Sequence, residues 1–274
     1  MANTAEAISF LFVPGDRPER FDKALASGAD AVIVDLEDAV SPAAKDTARA
    51  ALDAWLAARP GDAPGVVLRC NGADTPWFAA DLALARHAGV AAVMLPKSES
   101  PAAIARVTAT RAGLPVIALI ESAAGLAQVR TIAATAGVQR LAFGSIDLQV
   151  DLGLRDATED ELLPWRLELV LASRLAGMAA PIDGVTTALD DAERLGADVA
   201  RAKRLGFGAK LCIHPKQVAT VRAGFRPTPA QLDWAQRVLA AAGSSGGAAV
   251  AVDGKMVDKP VLLRAQAILR EAGD

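Results

Sequence analysis

The chain alternates short, continuously apolar runs with longer stretches that are apolar on one face only. Continuous apolar runs are typical of strands buried on both faces, as in parallel sheets. Eight strands are predicted: Ser9–Val13, Ala31–Asp35, Val66–Arg69, Ala91–Leu95, Val116–Ile120, Arg140–Phe143, Ala180–Ile182 and Ala209–Ile213.

The longer stretches have the spacing of amphipathic helices, and one follows each strand. Five of them begin with proline, a residue favoured at the first helical position, and in four the proline follows a capping residue or its like: Pro42, Pro76, Pro101 and Pro215. The predicted helices are Pro18–Ser27, Pro42–Ala58, Pro76–His87, Pro101–Ala112, Ala123–Ala136, Glu159–Gly177, Asp191–Leu205 and Pro215–Ala223. Eight such units predict an α/β fold, a closed (β/α)8 TIM barrel. An open doubly wound sheet is disfavoured because the Gly-x-Gly-x-x-Gly turn is missing.

The residues after Arg226 lie outside these eight units. They predict a helix at Pro229–Ala242, a flexible hinge at Gly243–Gly247, a short strand at Ala248–Val252 and a last helix at Val261–Glu271. We therefore divide the chain into a catalytic barrel domain, residues 1–226, and a C-terminal helix, hinge and lid-like arm, residues 227–274.

Composition narrows the class of protein. The 274 residues carry a net charge of −3 without a basic block, which argues against nucleic-acid binding. Two histidines exclude a His-rich zinc site, so any metal should be a hard cation bound by oxygen. The two cysteines lie in apolar runs, and neither a signal-peptide pattern nor a membrane-length apolar run is present. These features predict a cytoplasmic protein without membrane association.

Charged residues directly follow several predicted strands, where the active sites of barrel enzymes lie. Glu121 and Asp147 follow the fifth and sixth strands. Two carboxylates from adjacent strand ends, with further positions left to water and ligand oxygens, suit Mg²⁺. The alternative for each is a cap on the next helix.

Arg69 follows an apolar strand, where an unpaired charge is costly. Its planar guanidinium suits a substrate carboxylate. The alternative is an ion pair to Glu37 or Asp38 that ties strands together, and both can hold at once. Lys97, after the fourth strand, is interpreted as a solvated or phosphate-facing lysine rather than a Schiff-base residue.

Taken together, these residues resemble the aldolase/citrate lyase superfamily, which includes the citrate lyase β subunit and malyl-CoA and citramalyl-CoA lyases. The resemblance spans nearly the whole chain, in the right order. It rests on FVPGDRPER from Phe12, DLEDAV from Asp35 followed by Lys45 and Asp46, Val67–Asn71, Leu95–Lys97, Ala118–Glu121, FGSIDL from Phe143 and DGKMVDKP from Asp253. Cys70 stands where the family usually has a hydrophobic residue or isoleucine.

The resemblance implies a magnesium-dependent barrel, for which Mn²⁺ can substitute, assembled as a homotrimer. It implies cleavage of a carbon–carbon bond in a 3-hydroxyacyl-CoA thioester, of citryl-, malyl- or citramalyl-CoA type. The products would be acetyl-CoA, or a homologue, and a 2-oxo acid such as oxaloacetate. Glu121 and Asp147 match the family's metal ligands, and Arg69 its substrate-binding arginine. Asp35, Glu37 and Asp38 match its acidic motif after the second strand, with Glu37 and Asp38 as the candidate catalytic residues.

Two further assignments concern the ends of the substrate. Arg17, Arg20 and Lys97 follow strands one and four and are candidates for the anionic phosphates of CoA. Asp258, at the end of the arm, is a candidate acid or base toward the enolate carbon at an adjacent subunit's site. Its alternative is an N-cap of the last helix.

Two other functions stay open. An aldolase acting on free 4-hydroxy-2-oxo acids would use the same chemistry without CoA. The other is a non-catalytic binding subunit of a lyase complex, which would need no catalytic residues. The presence of Arg69, Glu121 and Asp147 disfavours that alternative.

Overall fold

A computed structural model describes residues 3–61, 63–244 and 250–273. The chain divides into two compact units, Met1–Arg222 and Ala223–Asp274. In the part of the chain that is described, no helix has the length and apolar character needed to cross a membrane.

Eight parallel strands close into a barrel in the order of the sequence, which confirms the predicted (β/α)8 fold. They are β1 Ser9–Pro14, β2 Ala31–Asp35, β3 Val66–Arg69, β4 Val90–Leu95, β5 Val116–Ile120, β6 Val138–Phe143, β7 Ile182–Asp183 and β8 Ala209–Cys212. β7 starts two residues later than predicted. Pro181, directly before it, has no N–H to donate to the ladder.

Helices connect consecutive strands on the outside of the barrel. They are α1 Phe21–Leu25, α2 Lys45–Ala57, α3 Phe78–Leu84, α4 Pro101–Thr108, α5 Ala123–Ala133, α6 Ser145–Asp151, α7 Leu163–Leu175, α8 Ala192–Leu205 and α9 Pro215–Phe225. Two of the predicted proline starts are 3-10 turns, Pro18–Arg20 and Pro42–Ala44. α6, directly after β6, was not predicted.

The barrel interior is filled by alternate residues of the strands. Phe10, Ile33, Val67, Leu119 and Leu211 all belong to this core. Because side chains alternate across a strand, the residue two positions later points inward as well. The inward-facing residues at the carboxyl ends of the strands therefore lie at the mouth of the barrel.

The second unit has a small core of its own. It consists of α10 Pro229–Ser244, a hairpin of β9 Val250–Val252 and β10 Lys255–Val257, and α11 Lys259–Gly273. Ala235 and Val238 of α10 belong to one apolar cluster with Ala265 and Ile268 of α11.

Two features of this unit differ from the prediction. Asp253 and Gly254 both have positive φ, as a tight hairpin turn requires, and the second strand was not predicted. The first two residues of the predicted hinge, Gly243 and Ser244, continue α10. The rest of that hinge lies outside the described residues.

Candidate active site

A cavity of about 390 Å³ opens at the carboxyl ends of the barrel strands. Five residues singled out from the sequence line it: Asp35, Asp38, Arg69, Glu121 and Asp147. The other lining residues are Phe12, Pro14, Ala39, Leu119, Phe143, Gly144, Ser145, Ile146, Val185, Leu211 and Ile213.

Glu121 is the most buried carboxylate of the predicted metal pair, with 3% of its surface exposed. It lies two residues after the inward-facing Leu119, and its Oε1 accepts the backbone N–H of Lys97 at 2.9 Å. Among the described residues, no lysine or arginine forms an ion pair with it. Burial, followed by the charge of Glu37, raises its pKa to about 8. The cap of α5 is Ser122, which accepts the N–H of Gly125, so Glu121 is not a helix cap.

Asp147 reaches the same cavity from the first turn of α6. Gly144, just before this helix, permits the close approach: a Cβ atom there would lie 2.5 Å from Oε2 of Glu121. A side chain at position 144 would therefore displace Glu121. The two carboxylates face one cavity because the turn between β6 and α6 begins with glycine.

The donor set fits a hard divalent cation. Glu121 and Asp147 offer oxygen ligands, and the described residues contain no group of three or more Asp, Glu, His or Cys arranged to hold a metal. A cation here would thus need water or substrate oxygens to complete its coordination. Burial also raises the pKa of the nearby Glu37 to about 7. A divalent cation would supply positive charge beside Glu121, which has no cationic partner among the described residues.

Arg69 is held mainly by Asp35, a partner that the sequence analysis did not assign. Nε donates to Oδ1 of Asp35 at 2.7 Å, and Nη2 donates to Oδ2 at 2.6 Å. Nη1 lies 2.9 Å from Oε2 of Glu37 and 3.5 Å from Oδ2 of Asp38. Burial lowers the pKa of Arg69, but these carboxylates outweigh it and hold that pKa above its usual value.

Both interpretations of Arg69 therefore have a structural counterpart. It ties β2 to β3, where Asp35 and Arg69 are partners in the parallel register, and it also lines the cavity. Its Nε–Nη2 edge is used by Asp35, so a ligand would meet the remaining Nη hydrogens. Both residues end adjacent predicted strands, but the pairing depends on the register that aligns the two strand ends, which the sequence did not give.

The loop after β2 is fixed from two sides. Asp35 accepts the backbone N–H groups of Glu37 at 2.8 Å and of Ala39 at 3.1 Å. Nζ of the buried Lys45 donates to the carbonyl oxygens of Leu36 and Glu37, both at 2.7 Å. These bonds hold the backbone that carries the Glu37 carboxylate beside Arg69.

Besides Asp35, the buried carboxylate of Asp81 supports the loop after β2, and it does so through Asn71. Oδ2 of Asp81 accepts the backbone N–H of Asn71 at 2.8 Å and its Nδ2 at 2.6 Å, and Nδ2 also lies 3.0 Å from the carbonyl oxygen of Leu36. Sequence reasoning missed this role, and that of Lys45, because both residues lie within predicted helices.

The candidate CoA ligands do not line the cavity. Arg17 and Arg20 are exposed beside the 3-10 turn after β1, and each lies near its own acidic neighbour, Asp16 at 3.9 Å and Glu19 at 3.8 Å. Lys97 is closer to the site, with Nζ 3.7 Å from Oε1 of Glu37.

Asp258 belongs to the second unit. Its Oδ1 accepts the backbone N–H of Val261 at 3.1 Å, so it caps the start of α11. The role predicted for it at an adjacent subunit's site stays a prediction.

Known proteins of similar sequence and structure were found for nearly the whole chain. It is 40% identical over 271 residues to a citrate lyase subunit beta-like protein of Mycobacterium tuberculosis, covering 97% of this chain and 95% of that one. It is 35% identical over 268 residues to a (3S)-malyl-CoA thioesterase of Cereibacter sphaeroides, covering 96% and 94%.

The crystal structure of the protein CitE from Mycobacterium tuberculosis in complex with magnesium, acetoacetate and coenzyme A is similar throughout. It superposes with a TM-score of 0.86 at 39% identity, covering 98% of this chain and all of that one. The profile of the HpcH/HpaI aldolase/citrate lyase family matches residues 9–215, which span the barrel from β1 to the start of α9. The chain belongs to the HpcH/HpaI aldolase/citrate lyase family.

Proposed function

We propose that this protein is a magnesium-dependent lyase that cleaves a carbon–carbon bond in a 3-hydroxyacyl-CoA thioester. One observation carries the proposal: Arg69, Glu121 and Asp147 converge on one cavity at the carboxyl ends of the strands. The similarity to a structure that contains magnesium, acetoacetate and coenzyme A supports it. The products are acetyl-CoA, or a homologue, and a 2-oxo acid.

Glu121 and Asp147 are the residues that would hold Mg²⁺, with Mn²⁺ as a substitute that accepts the same oxygen ligands. When bound, the cation supplies positive charge to the carboxylate and hydroxyl oxygens of the substrate. The two side chains also orient the acid end of the substrate toward Arg69.

Arg69 assists the bond cleavage through its charge. The hydroxyl group loses its proton and its carbon becomes a carbonyl, while the electron pair of the broken bond moves to the thioester as an enolate. The guanidinium stabilises negative charge on the hydroxyl oxygen as the bond breaks. Glu37 and Asp38, beside Nη1 of Arg69, are the proposed acceptors for the hydroxyl proton.

The enolate carbon then takes up a proton to give the product thioester. We assign that step to Asp258 of an adjacent copy in a homotrimer, and assign the phosphates of CoA to Arg17, Arg20 and Lys97. The side chains of these three residues are exposed, so they are accessible to the anionic phosphates of CoA.

The test is product analysis with citryl-, malyl- and citramalyl-CoA, with and without Mg²⁺, beside free 4-hydroxy-2-oxo acids. A lyase yields a 2-oxo acid and an acyl-CoA, whereas a thioesterase yields a hydroxy acid and free CoA. Hydrolysis is the second candidate because a 35% identical relative carries the name (3S)-malyl-CoA thioesterase. Turnover of no thioester, together with tight binding to a partner protein, would favour a binding subunit.

A further inference from the structure

A second cavity lies at the opposite end of the barrel from the candidate active site. Its volume is about 580 Å³, and its lining includes Ala91 of β4, Pro115 directly before β5 and Gln139 of β6. These residues lie at the amino ends of three consecutive parallel strands, whereas the candidate active site lies at the carboxyl ends. We call this space the lower cavity.

The lower cavity is lined by two arginines and, within the described part of the chain, by no aspartate or glutamate. Arg111 donates from Nη1 to the carbonyl oxygen of His87 at 2.5 Å and from Nη2 to that of Val90 at 2.6 Å. These bonds fix its guanidinium without neutralising its charge. Arg86 is exposed, and its side chain has no partner among the described residues. Two positive charges therefore face one cavity without a counter-charge.

Two amide side chains in the lining have their acceptor atoms engaged. Oδ1 of Asn3 accepts the backbone N–H of Ala5 at 3.2 Å, and Oε1 of Gln139 accepts the hydroxyl of Thr4. The NH2 group of each amide remains as a donor, because a carboxamide has one acceptor and one donor end. The polar groups left to a ligand are thus mainly N–H donors, which suit an oxyanion.

A buried cation lies directly behind this lining. Arg140, next to Gln139 in β6, is 2% exposed, and its Nη1 donates to the carbonyl oxygens of Thr4 at 3.2 Å and Ala7 at 2.7 Å. No carboxylate in the described ranges pairs with it, and burial lowers its pKa to about 10, so it stays charged at neutral pH. Arg140 therefore holds the N-terminal segment in place and adds a third uncompensated positive charge near the lower cavity.

We propose that the lower cavity is a second ligand site, which binds a phosphorylated small molecule through Arg86 and Arg111. Guanidinium groups bind phosphate oxygens in pairs, and the cavity volume is typical of small-molecule sites. Ala88 and Pro115 contact the uncharged part of the ligand. The site is separate from the proposed lyase chemistry, because the five residues of β5 lie between Pro115 and Glu121, on the order of 20 Å apart.

Calorimetry with inorganic pyrophosphate as the probe tests this site on the full chain. EDTA in a buffer of low ionic strength keeps divalent cations away from the candidate metal site. Arg86→Gln should raise the Kd of pyrophosphate about tenfold or more, because it removes a charge-assisted contact. Arg174→Gln, an exposed arginine of α7 outside the lining, should keep the wild-type Kd. Absence of wild-type binding, or equal effects of the two variants, would overturn the proposal.

A pair of substitutions at Ala88 separates charge from shape. Ala88 is exposed in the lining, so a longer side chain can be placed there without disturbing the core. Ala88→Glu should weaken pyrophosphate binding about 100-fold or more, because its carboxylate repels the anion and pairs with the arginines. Ala88→Gln has nearly the same shape and should change the Kd by less than about threefold. Circular dichroism verifies that both variants are folded, and equal affinities of the two would refute the site.

A third comparison excludes the mouth of the barrel as the binding place. Arg17→Gln, at a candidate CoA contact, should leave the Kd of pyrophosphate unchanged. If Arg17→Gln weakens binding and Arg86→Gln does not, the probe binds at the other end of the barrel and the proposal is wrong. These measurements need neither magnesium nor turnover, so their outcome does not depend on whether the chain cleaves a thioester.

Discussion

At the scale of single residues, the proposed site depends on the carboxylates Glu121 and Asp147, which line the cavity at the carboxyl ends of the strands. Glu121→Gln and Asp147→Asn should each lower metal-dependent turnover by about 10³-fold or more, because each removes one of the charged ligands proposed for the metal. The fold should remain, since neither carboxylate forms an ion pair among the described residues. Steady-state kinetics with and without EDTA, beside circular dichroism, provide the measurement.

The matched control for these variants is Asp160→Asn, an exposed carboxylate outside the cavity lining. It should keep wild-type turnover. Activity that survives both site substitutions, or that EDTA leaves intact, would refute the metal assignment.

Arg69 makes a second prediction at this scale. Arg69→Lys should be nearly as damaging to kcat/KM as Arg69→Ala, because an ammonium cannot donate to both oxygens of Asp35 and also face the cavity. Arg69→Ala should also lower the free energy of unfolding by about 3–5 kcal/mol, since Asp35 stays buried without its partner. Urea denaturation measures this loss. Near-normal rates in the lysine variant would mean that Arg69 only links β2 to β3 and does not act on the substrate.

At the scale of elements, the loop after β2 depends on a side chain from the start of α2. Lys45→Met removes two charged hydrogen bonds to buried carbonyl oxygens and should lower the free energy of unfolding by about 2–4 kcal/mol. Turnover should fall as well, because the same loop carries Glu37. Lys23→Met, at an exposed position of α1, is the control and should have little effect on either quantity.

The turn between β6 and α6 gives a second prediction for an element. Gly144→Ala places a Cβ atom against Glu121 and should lower kcat/KM by about 10²-fold through the displaced carboxylate. Gly196→Ala tests whether glycine replacement is harmful by itself. Apart from the adjacent residues and backbone of α8 itself, no described atom would lie within 4 Å of the new Cβ, and α8 should gain about 0.5–1 kcal/mol of stability. Normal kinetics in Gly144→Ala would show that the close approach is not required.

At the scale of the whole molecule, the prediction is that one subunit contributes Asp258 to the active site of an adjacent subunit. If Asp258 acts at an adjacent subunit, neither Asp258→Ala nor Glu121→Gln is active alone, but mixed trimers regain part of the activity. Some of their sites would combine an intact barrel with an intact Asp258. Subunit exchange is verified by native mass spectrometry, and the trimer by analytical ultracentrifugation. Exchange without any recovery of activity would rule out this arrangement.

The order and type of the barrel elements could be predicted from the sequence, because they depend on local patterns. Continuous apolar runs mark strands buried on both faces, and five of the eight strands begin at the predicted residue. Parallel strands that alternate with helices bring all their carboxyl ends to one rim. The convergence of Glu121, Asp147 and Arg69 therefore also followed from the sequence.

Only the tertiary structure decided which groups pair. Asp35 binds Arg69, and Lys45 holds the Leu36 and Glu37 carbonyls, through contacts between residues up to 34 positions apart. Such contacts depend on strand register and on the orientation of a helix, which local patterns do not encode. The pairing of β1 with β8 arises in the same way, because the first and last strands of the barrel become neighbours only when the barrel closes.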